Sequence, residues 1–171
     1  MSWFAIRVTY GRGLKFKQLL EEAGFQSFVP MRKKVLEKNG RKSVVMVPAV
    51  SNLCFVNTEK PKMDEFMHSF GEACMGHYIW DKSTRKPIIV PDKAMADFIQ
   101  VSMVMSDDLL YLKEITAKLR QGQKVRVNNG PFKGVEGVVV RIKRSRRIVV
   151  ELPGMLAVAT TYVKPQDLEV L

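Results

Sequence analysis

Apolar residues near the start of the chain recur first with the period of a strand and then with that of a helix. Residues 3–10 alternate and are rich in aromatic and β-branched side chains, which predicts a β-strand. Glycines interrupt this pattern, and from Leu14 to Ala23 the apolar positions recur at helical spacing. Gly24 follows where the glycine that ends a helix belongs. The pattern therefore predicts a strand that leads into a helix.

A hairpin is the strongest local signal in the first part of the chain. Residues 25–36 and 43–50 read as strands, and Asn39-Gly40 lies in the turn between them. The other predicted elements are a strand at 52–57, a helix that begins at Pro61, short strand-like pieces at 78–80 and 88–90, and a helix that begins at Pro91-Asp92. This order predicts an α+β protein whose first domain is an α/β sandwich, a mainly antiparallel sheet flanked by helices.

The pattern changes after Leu119. Five short segments rich in Val, Ile and Leu follow, separated by turn signals: 123–127, 135–142, 147–152, 156–162 and 167–171. Five short strands in succession are typical of a small β-barrel. Residues 105–118 are predicted to form a linker with some helical content. The predicted division is therefore a first domain at 1–104, this linker, and a barrel at 119–171.

Charge narrows the class of partner. The chain has 171 residues, with 28 Lys and Arg against 17 Asp and Glu, for a net charge of +11. Residues 119–171 hold 10 basic and 4 acidic residues, and residues 1–118 hold 18 and 13. An excess of this size first indicates a polyanion such as nucleic acid as a partner. A basic protein with no such partner is the alternative.

Few side chains in the sequence offer chemistry. Cys54 and Cys74 are too few for a disulfide scaffold, and together with His68 and His77 they lack the spacing of zinc ligands. Gly11-Arg12-Gly13 follows a strand and opens a helix, but the third glycine and the acidic residue of a dinucleotide-binding loop are missing. We expect no catalytic residue, no metal and no cofactor, and hence no enzyme.

The sequence also bears on where in the cell the protein is located. Its first residues show no basic region followed by an apolar stretch, and no apolar run reaches the roughly 20 residues of a membrane span. We therefore expect a soluble, cytoplasmic protein without membrane contact.

The segment from Gly122 to Val139 carries the most specific pattern. Gly130-Pro131 predicts a tight turn, because glycine supplies an unusual φ and proline fixes its own. Gly134 and Gly137 permit a bent strand and close approach of backbones. With Phe132 after the proline, the segment resembles the KOW motif. The resemblance implies that the second domain is an SH3-like five-stranded barrel.

The first domain then resembles the N-terminal domain of the NusG family. The features that carry the resemblance are a leading Trp3-Phe4 strand, Phe28-Val29-Pro30, the basic hairpin, Asn52–Val56 (NLCFV) and Lys86–Asp92 (KPIIVPD). The resemblance covers essentially the whole chain and preserves the domain order. It implies a transcription elongation factor that binds RNA polymerase and modulates pausing and termination.

The resemblance also implies where the polymerase docks. In the family, an aromatic and apolar patch of the sheet contacts the clamp helices of the largest polymerase subunit, and the matching positions here are Trp3, Leu53 and Phe55. Period two independently places Leu53 and Phe55 on one strand face, and Trp3 opposite the core-facing side of its own strand. An exposed patch of this kind suits a partner site. The alternative is that all three residues are ordinary core.

Two basic groups are candidate contacts to non-template DNA or nascent RNA. Around the first turn lie Arg12, Lys15 and Lys17. At a predicted hairpin tip in the barrel lie Arg141, Lys143, Arg144, Arg146 and Arg147. Phosphate contacts of this type supply affinity without reading sequence. A solvated charged surface is the alternative for both groups.

Departures from the family pattern indicate a specialised member. Leu53 replaces a residue that is usually aromatic, and Leu152–Leu156 stands where housekeeping members carry an aromatic-Gly-Arg loop for a termination factor or a ribosomal protein. The departures favour a specialised paralogue of the type that controls capsular polysaccharide operons by antitermination. We further expect a monomer, with a ribosomal or regulatory protein as a partner of the barrel. The rival interpretation is a KOW-containing ribosomal or structural RNA-binding protein.

Overall fold

The structure, a computed structural model, describes residues 1–113 and 122–171. The chain divides into two compact units: the first contains residues 1–30 and 48–92, and the second contains residues 31–47 and 93–171. The predicted domain boundaries stay a prediction.

Three α-helices lie in the described residues: α1 (Gly13–Glu22), α2 (Lys60–Ser69) and α3 (Asp92–Met103). The strands are β1 (Ser2–Val8), β2 (Gln26–Phe28), β3 (Met31–Lys38), β4 (Arg41–Pro48), β5 (Leu53–Thr58), β6 (Gly76–Tyr78), β7 (Ile89–Val90), β8 (Leu110–Leu112), β9 (Lys124–Val127), β10 (Glu136–Ile142), β11 (Ser145–Leu152), β12 (Leu156–Ala159) and β13 (Leu168–Val170). Short 3₁₀ helices follow α2 at Gly71–Ala73 and precede β13 at Pro165–Asp167. The α+β class with antiparallel sheets, predicted from the sequence, is confirmed.

The first unit is built on an antiparallel sheet in the order β2-β5-β1-β6, with β7 also paired to β1. In the central pair, Phe4 lies opposite Val56 and Ile6 opposite Cys54. These side chains are buried, as apolar strands at the centre of a covered sheet must be. Helix α1 contributes buried Phe16 to the same core.

Gly76 lets the Phe16 ring approach strand β6. A Cβ at this position would lie 2.4 Å from the Cζ atom of Phe16 and 2.9 Å from Cγ2 of Ile6. Any larger residue would push the ring out, because protein cores are close-packed and leave no space to take up an added methyl group.

The hairpin signal at Asn39-Gly40 is confirmed. Strands β3 and β4 form a two-stranded sheet, and both turn residues have positive φ, 53° at Asn39 and 72° at Gly40. Two successive residues in the left-handed region make the type I′ turn whose twist matches the flanking strands, and Asn-Gly is its preferred sequence. Short-range chemistry therefore determines this element.

The barrel region of the second unit is a six-stranded antiparallel sheet in the order β13-β9-β10-β11-β12-β8. Its apolar interior includes Val140, Val149 and Ala157, against which Leu110 and Leu112 pack. Five of the strands correspond to the segments predicted from the sequence. The sixth, β8, does not.

Strand β8 corrects the prediction for the linker. The sequence predicted helical content in 105–118, whereas Leu110–Leu112 pairs with β12, with Tyr111 opposite Val158. The exposed edge of β12 offers backbone hydrogen bonds that a short apolar segment meets better as a strand than as an isolated helical turn. Residues 114–118 of the predicted linker lie outside the described residues.

Candidate functional site

The structure corrects the expected exposure of Trp3, Leu53 and Phe55. Their side chains are 7%, 5% and 0% exposed. The prediction that Leu53 and Phe55 share a face is confirmed, because Arg7 lies opposite Leu53 and Ala5 opposite Phe55 in the register of β1 and β5. Both faces of these strands are covered, so the three residues belong to a core. Their role in polymerase binding stays a prediction.

An accessible apolar surface lies elsewhere in the first unit and was missed by the sequence analysis. Trp80 and Ile89 are 55% and 56% exposed. They line a groove of about 650 Å³ together with Phe4 and the cationic residues Lys60 and Lys86. Large exposed apolar side chains beside charged ones are typical of a partner surface. Trp80 stands out in the sequence only as a tryptophan outside any long element.

The loop beside this groove is held by Asp81. Its Oδ1 atom accepts hydrogen bonds from the backbone N–H groups of Ser83, at 2.7 Å, and Thr84, at 3.0 Å. The Ser83 hydroxyl also donates to Oδ1, and these hydrogen bonds, with that from the hydroxyl the largest cause, lower the pKa of Asp81. The ionised carboxylate therefore orders the turn that joins Trp80 to Pro87, two residues linked by a β-bridge.

The basic residues around α1 do not all face solvent freely. Arg12 precedes the helix and Lys15 lies in its first turn, and both are exposed. Lys17 is half-buried and forms an ion pair with Glu21 one turn on. In residues 1–113 and 122–171, Arg12 and Lys15 form no ion pair, so they are the two members of this group that are available to a phosphate.

The basic tip of the barrel is a tight turn in an unfavourable conformation. Lys143 and Arg144 join β10 to β11 with φ of 50° and 66°. Non-glycine residues in this region are strained, typically by about 1–2 kcal/mol each. Arg141 and Arg146 lie directly opposite each other behind the turn, and like charges in that position repel. The turn thus concentrates charge at a cost in stability, which is a feature of functional sites.

Arg147 does not belong to this tip, which corrects the prediction. It is 9% exposed and lies opposite Val140, on the opposite side of the hairpin from Arg141 and Arg146. Its Nη1 donates hydrogen bonds to the carbonyl oxygens of Thr160, at 2.8 Å, and of Asp108. Because strand side chains alternate, the fifth cation of the run points inward. Its contact with nucleic acid stays a prediction.

The KOW residues have the backbone geometry that their sequence predicts. Gly130 and Gly134 have φ of 78° and 89°, and Phe132 between them is buried. The N–H of Gly134 donates to the carbonyl oxygen of Val127 at 2.7 Å, which closes the loop on β9. Pro131 lies second in this turn.

Gly137 allows two strands of the barrel to approach closely. A Cβ on Gly137 would stand 2.4 Å from the carbonyl oxygen of Val149 and 2.7 Å from Cγ2 of Ile148. The close approach expected at this glycine is confirmed.

Helix α3 binds the backbone of the KOW loop, which comprises residues 128–135 between β9 and β10, and of Glu136, which follows it. Gln100 Nε2 donates to the carbonyl oxygens of Pro131, at 3.2 Å, and Lys133, at 2.9 Å. The side chain of Asp97 is 4% exposed. Its carboxylate accepts a hydrogen bond from the backbone N–H of Glu136 at 3.2 Å and forms an ion pair with Lys93. The sequence analysis missed these contacts, because nothing in the pattern of α3 links it to a loop more than 30 residues away.

The two cysteines are free thiols that differ in burial. Burial raises the pKa of the Cys54 thiol to about 12, against a smaller opposing effect of the Lys17 charge. Cys74 is also a free thiol, half-buried. In the part of the chain that the structure describes, no group of three or more His, Cys, Asp or Glu residues could hold a metal ion.

Among the helices in the described ranges, none combines the length and the apolar character that crossing a bilayer requires.

Comparison with known proteins gives two family matches and several structural likenesses. The model of the family "Transcription termination factor nusG" matches residues 1–99, and the KOW motif model matches residues 121–151. No curated protein matches the chain.

The chain also resembles proteins of known structure. A structure described as "Domain interaction in Thermotoga maritima NusG" has 17% identity and a TM-score of 0.48, covering 98% of this chain and 96% of that one. Two conformations of the MjSpt4:Spt5 complex have 14% and 16% identity and TM-scores of 0.30 and 0.29, with 99% of this chain and 97% and 96% of theirs covered. Because the NusG model alone spans more than half of the 171 residues, the chain belongs to the NusG family of transcription factors.

Proposed function

We propose that this protein is a transcription elongation factor that binds RNA polymerase and modulates pausing and termination without chemistry of its own. The observation that carries the proposal is the match of the NusG model to residues 1–99, followed in the same chain by the KOW motif at 121–151. A cytoplasmic site of action follows from that role.

The mechanism would be differential binding. A factor that binds the active polymerase more tightly than the paused enzyme shifts the population toward the active state. A difference of about 1.4 kcal/mol in binding free energy changes the pause equilibrium tenfold. Only contacts that are stronger in the active state than in the paused state contribute to this difference.

Two surfaces of the first unit compete for the role of polymerase contact. The resemblance assigns it to Trp3, Leu53 and Phe55, which are buried and would have to become exposed first. The groove at Trp80 and Ile89 is accessible as the chain stands. We therefore place the first contact at the groove and keep the three buried residues as the alternative.

Nucleic acid would be held by phosphate contacts. The exposed cations Arg12 and Lys15 suit the non-template strand, and a second contact to DNA or nascent RNA would come from the barrel tip. That tip comprises Arg141, Lys143, Arg144 and Arg146. Such contacts increase affinity without sequence preference.

We further propose that the protein is a specialised paralogue of the antiterminator type that serves capsular polysaccharide operons. Support comes from the loop between β11 and β12, which reads Leu152-Pro153-Gly154-Met155-Leu156 and lacks the aromatic-Gly-Arg sequence. A barrel with another loop at this place suits another regulatory partner. The protein would act as a monomer.

Binding to a reconstituted elongation complex tests the main proposal. Affinity is measured for the complex and for its bare DNA and RNA scaffold at matched salt, together with the lifetime of a defined pause. Binding at least tenfold tighter to the complex, with a changed pause lifetime, supports the proposal. Equal affinity for bare scaffold and no effect on pausing would contradict it and would leave a basic RNA-binding protein of the ribosomal KOW type.

Matched variants locate the contact. The pair Trp80→Ser/Ile89→Ser removes exposed apolar area from the groove, and Tyr162→Ser removes a side chain of similar exposure, 57%, from the barrel. We expect only the first pair to weaken binding to the complex. Leu53→Met, which preserves volume, tests the alternative: weaker binding at unchanged stability would return the contact to the buried residues.

A further inference from the structure

The β3–β4 hairpin carries a concentration of charge that the averages over the chain conceal. Residues 31–48 contain six Lys or Arg and one Glu, a net +5. The rest of residues 1–118 contains 12 basic and 12 acidic residues and is electroneutral. All of the excess charge of the first 118 residues therefore lies in this one hairpin.

The six cations of the hairpin are exposed and form no ion pair within the described residues. They are Arg32, Lys33, Lys34, Lys38, Arg41 and Lys42. Several apolar side chains of the hairpin are exposed as well, with Val35 at 62% and Val44 at 64%. A two-stranded ribbon with so little burial is marginally stable alone. Its composition therefore suits a partner better than a core.

The cations are distributed unequally between the two faces. Alternation places Arg32, Lys34 and Lys38 on the same side of β3. The two-residue turn sets Arg41 opposite Lys38, so Arg41 joins them. These four residues form the basic face. The other face has Lys33 and Lys42, and there Glu37, opposite Lys42, offsets one of the two charges.

The dimensions of the hairpin fit a groove of duplex DNA. Each strand has eight residues, a length of about 26 Å at the rise of a strand. The major groove of B-form DNA, about 12 Å wide, admits a two-stranded β-ribbon. The major groove of A-form RNA is too narrow for side chains to read. Shape thus favours DNA over duplex RNA. The negatively charged DNA phosphates would pair with the cations of the basic face.

We propose that the β3–β4 hairpin is a binding site for B-form duplex DNA, which it holds by phosphate contacts from the basic face. The residues of this site are different from the cations at α1 and at the barrel tip, and binding does not depend on polymerase. The alternative role of the lysines is protection of two unpaired strand edges against aggregation, which is a common use of charge there.

Two pairs of substitutions in the full chain test the proposal. Lys38→Gln/Arg41→Gln removes two charges from the basic face, and Lys33→Gln/Lys42→Gln removes two charges from the other face of the same hairpin. Affinity for a 20-bp DNA duplex is measured by fluorescence anisotropy across a range of salt concentrations. We expect the first pair to make the negative slope of log K against log salt shallower by about 1.8, at about 0.9 per phosphate contact, and the second pair to change it much less.

Other outcomes would overturn the proposal. Equal losses from the two pairs would show that DNA responds only to net charge. Unchanged binding in both, with increased aggregation of the variants, would leave edge protection as the role of these residues. Tighter binding of the parent chain to a 20-bp RNA duplex or to single-stranded DNA than to duplex DNA would also contradict it. Amide NMR spectra of each variant establish that the remaining fold is intact.

Discussion

Lys93 in helix α3 donates a hydrogen bond from its Nζ to the carbonyl oxygen of Gly134, 2.9 Å away and 41 positions along the chain. The same ammonium group lies 2.5 Å from Oδ1 of Asp97. Asp97 in turn accepts the N–H of Glu136. Helix α3 thus binds the main chain at Gly134 and at Glu136. Because both partners are backbone groups, these contacts depend on the conformation of the chain there and not on its side chains.

Removing the Asp97 carboxylate should loosen this loop. We expect Asp97→Ala to cost about 1–3 kcal/mol of unfolding free energy, because it leaves the Glu136 N–H without its partner and removes the ion pair of Lys93, which keeps only its hydrogen bond to Gly134. Hydrogen exchange at the Glu136 amide and the urea midpoint measure the effect. Lys17→Ala, which breaks the ion pair of a half-buried lysine with the exposed Glu21, should cost no more than about 0.5 kcal/mol. Equal effects would show that Asp97 contributes only as a surface charge.

Gly137 should not tolerate a side chain. Gly137→Ala places a Cβ against the Val149 carbonyl oxygen, and we expect a loss of about 1–3 kcal/mol in unfolding free energy from overpacking. Gly13→Ala is the control, since Gly13 opens α1 and has nothing within 4 Å of its Cβ position. That change should be neutral or stabilising. Chemical denaturation of both variants measures the two unfolding free energies. A Gly137→Ala protein as stable as the parent would disprove the close approach of the two strands.

The barrel tip should gain stability when Lys143 and Arg144 are replaced by residues that favour positive φ. Lys143→Asn/Arg144→Gly gives the turn the sequence that positive φ prefers. We expect a stabilisation of about 1–2 kcal/mol, measured by thermal unfolding, together with weaker binding to nucleic acid. Lys143→Ala/Arg144→Ala removes the same charge without relieving the conformation and should not stabilise. If both pairs gave the same stability, charge repulsion rather than backbone strain would be the cost.

The hydroxyl of Tyr78 should make the first unit sensitive to alkali. It donates to Asp64 Oδ1 at 2.8 Å, and burial, followed by this hydrogen bond and the Asp64 charge, raises the pKa of Tyr78. A group with a raised pKa contributes stability that is complete below its unfolded value, about 10 for tyrosine, and is lost as the pH rises through the folded value. Tyr78→Phe should therefore flatten the dependence of unfolding free energy on pH above about 10.

Asp64 makes the stability of the first unit depend on pH in the acid range. The hydrogen bond from Lys60 is the largest cause that lowers the pKa of Asp64. The contribution of Asp64 to the unfolding free energy is therefore present above its pKa in the unfolded chain and is lost as the pH falls through its pKa in the folded protein. Tyr162→Phe, at an exposed tyrosine, is the control for the alkaline series. A pH profile that Tyr78→Phe leaves unchanged would refute the link.

The buried docking candidates should behave as core residues. Phe55→Ala is expected to cost about 3–5 kcal/mol, whereas Trp80→Ala, at an exposed site, should stay within about 1 kcal/mol. Urea unfolding measures both changes. A small cost at Phe55 would contradict its burial and would favour the exposed patch that the family resemblance implies.

Sequence patterns predicted the local elements of this protein well. Asn39-Gly40 predicted its hairpin, and Gly130 and Gly134 predicted their turn, because positive φ is a requirement of a few neighbouring residues. Alternation predicted correctly that Leu53 and Phe55 share a face. Each of these inferences uses interactions that are short in sequence.

The positions of the basic sites were predicted less accurately than the local elements. The net charges of residues 1–118 and 119–171 favour the run from Arg141 to Arg147 as the main basic site. However, the β3–β4 hairpin holds all of the excess positive charge of residues 1–118. Within that run, strand alternation could have separated Arg147 from Arg141 and Arg146. The register with Val140 was needed to show which side is interior.

What the sequence by itself determined is therefore the identity of the elements, the turns and the order of the two domain patterns. Tertiary structure alone decided that both faces of β1 and β5 are covered, that Leu110–Leu112 is a strand, and that α3 holds the KOW loop. The physical reason is the range of the interactions. Periodicity reports which residues share a face, but burial and edge pairing depend on segments far along the chain, and no local pattern encodes which segment will cover that face.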